Sequence, residues 1–252
     1  MGDAADLQSW TVIAQNLPEH ATNPIHTDVG AQAAGFPRAL VAGVTTYAYL
    51  THPAAAGWGL DWLERGGGEV RFRRPVFDGD QLECRPVVDE GAAMIAGITG
   101  ITGITGADGA ADGDQPRAVF ELTRQAAGPT LRDGEPLPLH RIRLEGEWGS
   151  GYGSRAGDPL DLYERHGIVH PAVWPALANR VVHAEVARGP WIHTRSIIRH
   201  HALGRVGREA IIRAHVVRRF EAHGERAVLD VMIEVDGEVV ASLEHEAIVA
   251  LP

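Results

Sequence analysis

Hydrophobic and polar positions along the chain fall into two rounds of one plan: a short strand, a polar loop, an apolar helix, then long alternating strands. In the first round, residues 9–16 are rich in β-formers and predict a strand, which Pro18 ends. A polar loop runs to Asp28. Residues 43–51 carry no charge. A helix that is apolar or neutral on every side is a buried one, because nothing on it requires water. His52-Pro53 is expected to close this helix, since proline disfavours helical geometry at the residue before it. A more amphipathic helix is expected over 54–65, followed by a flexible break at Gly66-Gly67-Gly68. Val70, Phe72, Val76 and Phe77, with arginines alternating at the start, predict a strand with one buried face. Asp78-Gly79-Asp80 predicts a turn, and 82–88 the returning strand, where Pro86 implies an edge or a bulge. A further strand is expected over 118–124.

The second round starts after a Gly- and Pro-rich stretch at 126–138, the best linker candidate. A strand at 141–144 leads through a glycine-rich loop to Asp158-Pro159-Leu160-Asp161 and Gly167-Ile168-Val169-His170-Pro171. Pro171 suits the first turn of a helix over 172–186. Strands are expected at 191–200, 209–220, 227–235 and 238–250, and Asp236-Gly237 marks a hairpin between the last two. Pro24 and Pro159 lie 135 residues apart, Gly35 and Gly167 132, Gly79 and Gly207 128. A nearly constant offset indicates an internal duplication, with units at 1–127 and 128–252. Between strands of the first unit, residues 97–106 repeat Gly-Ile-Thr. The run has the collagen period but is short and lacks proline, and is expected to be a strand end of poorly fixed register. Residues 107–114 are expected to be a solvated loop rather than a calcium loop, because Val119 stands where that motif needs glutamate.

Composition narrows the function classes. The chain has 252 residues, 44% of them hydrophobic and 22% charged, which is ordinary for a globular protein. No apolar run approaches the ~18 residues a membrane span needs. The amino end is acidic and lacks a signal pattern, so a cytoplasmic location is expected. Cys84 is the one cysteine, which excludes an internal disulfide or a cysteine-rich zinc site; its place in a strand makes it a small packing residue. Net charge is −10 and every basic side chain is arginine. That balance argues against nucleic acid, while arginines remain able to hold a phosphorylated carrier. His193, His200, His201 and His245 include no pair with the helical spacing of a zinc motif, and no metal or cofactor is expected.

The chemistry concentrates in Asn23-Pro24-Ile25-His26-Thr27-Asp28 and the apolar helix that opens at Gly43. Together with Arg74-Pro75-Val76-Phe77-Asp78-Gly79-Asp80-Gln81-Leu82, this stretch resembles the MaoC-like family of (R)-specific enoyl-CoA hydratases and acyl dehydratases. The resemblance implies an α+β double hot-dog, each unit a long antiparallel sheet around a buried helix. It also implies an acyl thioester such as acyl-CoA as substrate, acting in fatty acid metabolism, with the duplicated chain a monomer or a homodimer.

By the same resemblance, His26 is the acid/base, Asn23 fixes the loop, and the Gly43 amide holds the thioester oxygen. Asp28, Val41 and Arg74 are substrate-side candidates. The family's catalytic aspartate lies five residues before the histidine, where this chain has Ala21. Glu19 and Asp28 are candidate replacements. A hot-dog thioesterase and a non-catalytic acyl-binding protein therefore stay open beside the hydratase. Elsewhere, His193, His200, His201 and His245 read as strand histidines. His170, at the start of the second helix, is the best mark of a second pocket, and Asp161 stands at the offset counterpart of His26. Arg71, Arg73 and Arg74 could face a CoA phosphate.

Overall fold

The computed structural model describes residues 7–89, 92–99 and 115–251. In chain order these give β1 (Trp10–Ile13), 3-10 turns at Pro18–Thr22 and Pro24–His26, α1 (Asp28–Ala33), α2 (Gly43–Arg65), β2 (Gly67–Phe72), β3 (Gln81–Asp89), β4 (Ala92–Thr99) and β5 (Ala118–Thr123). Then follow β6 (Glu135–Pro136), β7 (His140–Arg143), α3 (Tyr152–Arg155), α4 (Leu162–His166), α5 (Val173–Val181) with a π-helical turn at Val182–Val186, β8 (Ile192–His200), β9 (Glu209–Glu221), β10 (Glu225–Val235) and β11 (Glu238–Ala250). The expectations for residues 100–114 lie outside the described residues.

The strands make one 11-stranded sheet in the order β1-β3-β4-β5-β2-β8-β11-β10-β9-β6, with β7 beside β9. All its pairings are antiparallel. The two units meet where β2 pairs with β8, from Gly67 opposite Arg199 to Arg71 opposite Arg195. Helix α2 packs on β1 to β5 and β8, and α5 packs on β8 and β11. Tyr47, Ala48, Tyr49, Leu50 and Trp62 are wholly buried, as an uncharged helix requires. This is the double hot-dog, an α+β fold. The expected unit boundary at 127/128 falls between β5 and β6.

The duplication is visible in backbone detail. Bridges join Leu40 to Phe77 and Ile168 to Arg205, and the Val41 and Val169 amides donate to the carbonyls of Val76 and Gly204. Each of these pairs is related by an offset of 128. Gly79 and its counterpart Gly207 have φ of 82° and 77°, a left-handed turn conformation that glycine adopts without penalty.

Two local expectations are corrected. Pro53 does not end the first helix: α2 runs through it to Arg65, and the break in helical geometry comes at Gly59, with φ 59° and ψ −146°. The Thr51 hydroxyl donates to the Ala48 carbonyl at 2.7 Å in the turn before the proline, and burial of Tyr49, Leu50, Ala54 and Ala55 holds both sides of it in the core. Packing has overridden a local preference. The glycines after α2 are not a flexible break either. Gly67 and Gly68 are buried strand residues, and a Cβ on them would lie 2.1 Å from the carbonyl oxygens of Ile198 and Glu121 respectively. Their missing side chains allow β2 to seat between β5 and β8, where the units join.

Candidate active site

The loop from Asn23 to Leu40 is fixed by its own polar groups. Thr27 caps α1, accepting from the Gly30 amide at 3.2 Å while donating to the Pro24 carbonyl at 2.8 Å. Gly30 lies so close to Pro24 that a Cβ would stand 2.1 Å from the Pro24 oxygen. Asp28 Oδ1 accepts from the Ala39 amide at 2.8 Å. Asn23 is buried and reaches into the second unit, its Nδ2 donating to the Trp191 carbonyl at 2.9 Å and its Oδ1 accepting from the Trp191 amide at 3.4 Å. Asn23 thus clamps the loop to the far half of the molecule, and Asp28 closes it from the near side.

This frame orients His26. Its Nδ1 lies 2.8 Å from the Leu40 carbonyl oxygen. A carbonyl only accepts, so Nδ1 carries the proton and Nε2 presents a lone pair. Burial lowers the His26 pKa from its ordinary value, and the Leu40 carbonyl opposes that shift. The imidazole is accordingly neutral at pH 7 and ready to accept a proton.

His26 stands between two adjoining cavities. The first, of about 280 Å³, has apolar walls including Ile25, Phe36, Leu40, Val41, Phe72 and Val76, with Arg73, Arg74 and Arg226 also lining it. The second, of about 320 Å³, is more polar and includes Glu19, His20, Glu147, Tyr152, Arg180 and His183. Asn23, His26, Asn179 and Trp191 border both. Gly43 opens α2 and lines the first cavity. Its N–H is among the first-turn amides that helix geometry leaves without an intrahelical acceptor, and the helix dipole adds positive potential there.

The sequence candidates divide on this geometry. His26, Asn23, Gly43, Val41 and Arg74 come together around the first cavity. Asp28 is committed to the Ala39 amide and does not line either cavity. Glu19 is paired with Arg155. Ala21 is exposed, so an acid at that position would face outward in this arrangement. Arg71 pairs with Glu69 at 2.5 Å, whereas Arg73 lines the first cavity. Burial pushes the Cys84 thiol up, so it is an inert packing group.

Three polar side chains beside the site carry no sequence signal of their own. His20 Nε2 lies 3.1 Å from the Tyr152 hydroxyl and 3.2 Å from Thr45 Oγ1, and its ring centre is 6.0 Å from that of His26. Burial, then the neighbouring His26, lower its pKa to about 4, against the opposing pull of Glu19. Tyr152 arrives from the second unit. His193 lines the first cavity and packs against Gly43, where a Cβ would stand 3.2 Å from its Nδ1. A bulge between Glu246 and Ala247 on the partner strand pairing leaves Thr194 unpaired. His193 and Ser196 therefore share a face, and Ser196 Oγ lies 2.8 Å from both His193 Nε2 and His245 Nδ1. Among the described residues, no group of three or more His, Cys, Asp or Glu could hold a metal ion, and no helix is long and apolar enough to cross a membrane.

Residues 18–107, which hold the loop, His26 and α2, match the MaoC like domain. Over that stretch the first unit is similar to the MaoC like domain. Solved structures share the whole double architecture at low identity. One is a putative MaoC domain protein dehydratase from Chloroflexus aurantiacus, 10% identical with a TM-score of 0.61, covering 98% of this chain and 95% of its own. A conserved hypothetical protein from Mycobacterium tuberculosis, described as a double hotdog fold, is 14% identical with a TM-score of 0.57 over 96% of both chains. An acyl-ACP thioesterase from Bacteroides thetaiotaomicron is 9% identical with a TM-score of 0.53, covering 98% of this chain and all of its own. No curated protein matches the sequence. The stretch that matches thus supplies the helix start and the histidine, while the second unit supplies Trp191, His193 and Tyr152 around them.

Proposed function

We propose that the protein is a hydratase or dehydratase acting on a 2-enoyl or 3-hydroxyacyl thioester, with His26 as the acid/base. The observation that carries this reading is His26 Nε2, left as a lone pair by the Nδ1 bond to Leu40 and set where two cavities meet beside the start of α2. In dehydration, Nε2 takes the proton from C2, and the C2–H electron pair moves into the new C2=C3 bond. The C3–O bond breaks, and the departing hydroxyl leaves as water with the proton His26 returns. Hydration is the reverse. His26 ends each turnover neutral, as its burial favours.

The remaining candidates take supporting roles in this reading. The Gly43 N–H holds the thioester oxygen as charge develops on it. Asn23 and Asp28 hold the loop that carries His26, and Val41 is part of the apolar wall. Arg74, with Arg73, meets phosphate on the carrier, for which coenzyme A is the simplest choice. The reaction needs no cofactor beyond the thioester. A cytoplasmic role in fatty acid metabolism fits such a substrate, and the fused units can work as a monomer or pair as a homodimer.

Crotonyl-CoA tests the reading. Loss of enoyl absorbance is expected, together with its abolition in His26→Ala. Release of free thiol would identify a thioesterase instead, and saturable binding without either product an acyl-binding protein.

A further inference from the structure

The chain has alanine where an acid is expected at position 21, and the two candidate replacements are tied up, Glu19 with Arg155 and Asp28 with the Ala39 amide. The group that faces His26 instead is His20. It lies in the 3-10 turn Pro18–Thr22 and borders the same polar cavity as His26. Its Nε2 belongs to a triangle with two hydroxyls, because Thr45 Oγ1 and the Tyr152 oxygen are themselves 3.0 Å apart. Thr45 is in the first turn of α2, and Tyr152 is in α3 of the second unit.

The triangle has a preferred arrangement of protons. If Nε2 accepts, Tyr152 donates to it and Thr45 donates to the Tyr152 oxygen, so both hydroxyl protons are used. If Nε2 carries a proton, one of these hydroxyl protons has no acceptor inside the triangle, and an unpaired buried donor is costly. Thr45 and Tyr152 are both buried, at 0% and 1% exposure. The Nε2-acceptor form leaves Nδ1 as the N–H of His20. Among the described residues no protein group is bonded to that nitrogen.

Resting on the hydratase or dehydratase reading, we infer that His20 replaces the missing acid as a hydrogen-bond donor, its Nδ1–H holding the oxygen that is added to or lost from C3. Tyr152 and Thr45 are positioning residues that lock its tautomer. No proton leaves His20, since His26 carries the one that moves between carbon and oxygen. His20 stays neutral throughout and His26 is charged only while it carries that proton, so the two imidazoles, held 6.0 Å apart in a buried site, are never charged together.

The test combines kinetics with a reading that does not depend on turnover. In crotonyl-CoA hydration, His20→Phe is expected to lower kcat by about 100-fold, the scale for one donor to a reacting oxygen, with little change in KM. His20→Gln, which keeps an N–H and an oxygen to accept from Tyr152, should recover part of it and melt like the parent, while His20→Phe should melt somewhat lower because one buried hydroxyl proton loses its acceptor. Unchanged kcat in His20→Phe overturns the proposal. Nitrogen NMR of the imidazoles in the full chain should show His20 protonated at Nδ1, and Tyr152→Phe should weaken that preference. A His20 protonated at Nε2 overturns the proposal even if crotonyl-CoA is no substrate. An Nδ1 proton in a chain that leaves crotonyl-CoA untouched keeps the tautomer lock and moves the failure to the reaction reading.

Discussion

The two helix starts of this molecule have the same backbone and opposite chemistry. In the offset of 128 that relates their bridges, Leu40, Val41, Ala42 and Gly43 correspond to Ile168, Val169, His170 and Pro171. At the first start, Gly43 offers an N–H to a cavity bordered by a histidine with a free lone pair. At the second, Pro171 has no N–H to offer. His170 is there wholly buried, with ring centres of Tyr152 and Tyr163 at 5.7 and 4.4 Å. Its Nδ1 accepts from the Ala172 amide at 3.1 Å. Asp161 is exposed at the start of α4. One start is built open around a neutral base, and the other is filled with aromatic rings. Duplication preserved the scaffold, while side-chain packing removed the second site.

The residues before the paired prolines show how the halves use each other. Asn23 reaches across to the backbone of Trp191 in the second unit. Its counterpart Asp158 reaches back to His52 on α2, 2.7 Å away. Each loop is anchored on the other half, and β2 and β8 make the sheet continuous between them. The half that carries His26 therefore depends on the filled one for its walls.

The contrast between the two histidines gives the largest expected effect. His26→Ala should lower kcat/KM on a 2-enoyl thioester by at least about 100-fold, the range for a lost acid/base, with a melting temperature close to that of the parent. His170→Ala should do the reverse. Emptying a fully packed aromatic site is expected to cost roughly 2–4 kcal/mol in denaturant unfolding, and any activity loss should follow the unfolded fraction. If His170→Ala instead melts normally and abolishes turnover, the second start is a working site and the comparison fails.

A smaller effect follows from acid. Burial lowers the pKa of His170 and His200 to about 4 and of His245 to about 3, from about 6.5 in the unfolded chain. Between those values the unfolded state binds more protons, so stability rises with pH across this window. It is fully present above about 6.5 and is lost as pH falls towards 4. Urea unfolding at a series of pH values should show that slope, and His170→Phe should reduce it. A flat profile from pH 7 to 4 would mean that these histidines are not buried neutral.

The smallest effect is predicted for restoring the absent acid. Because Ala21 is exposed, Ala21→Asp should leave kcat within about twofold and stability within about 0.5 kcal/mol, as surface substitutions do. A large gain in kcat would show that the loop can turn a residue 21 carboxylate inward, and would remove the reason for assigning its place to His20.

Much of the fold was legible because it rests on local patterns. The uncharged run after Gly43 marked a buried helix, alternating residues marked β2 and β8 to β11, and paired glycines marked the duplication. The failures were places where contacts distant in sequence won. Pro53 reads as a stop, but the core keeps α2 helical through it. Gly67 and Gly68 read as a break, yet they are where two strands close in on a third. The site was half legible, since His26, Asn23 and Gly43 lie in one motif. His20 is not legible in the same way, because it lies outside the motif and its hydroxyl partner Tyr152 is 132 residues away.

The sequence by itself determined a duplicated hot-dog plan, the buried helix, and a histidine loop leading into it, because periodicity and turn chemistry are properties of neighbouring residues. Only the tertiary structure decided which groups surround His26. A bulge at Thr194 brings His193 and Ser196 to one face, against the alternation of an ordinary strand. Tyr152 reaches His20 from 132 residues away, and Trp191 holds Asn23 from 168 away. Such meetings depend on how the sheet closes over both helices, and no local pattern encodes them.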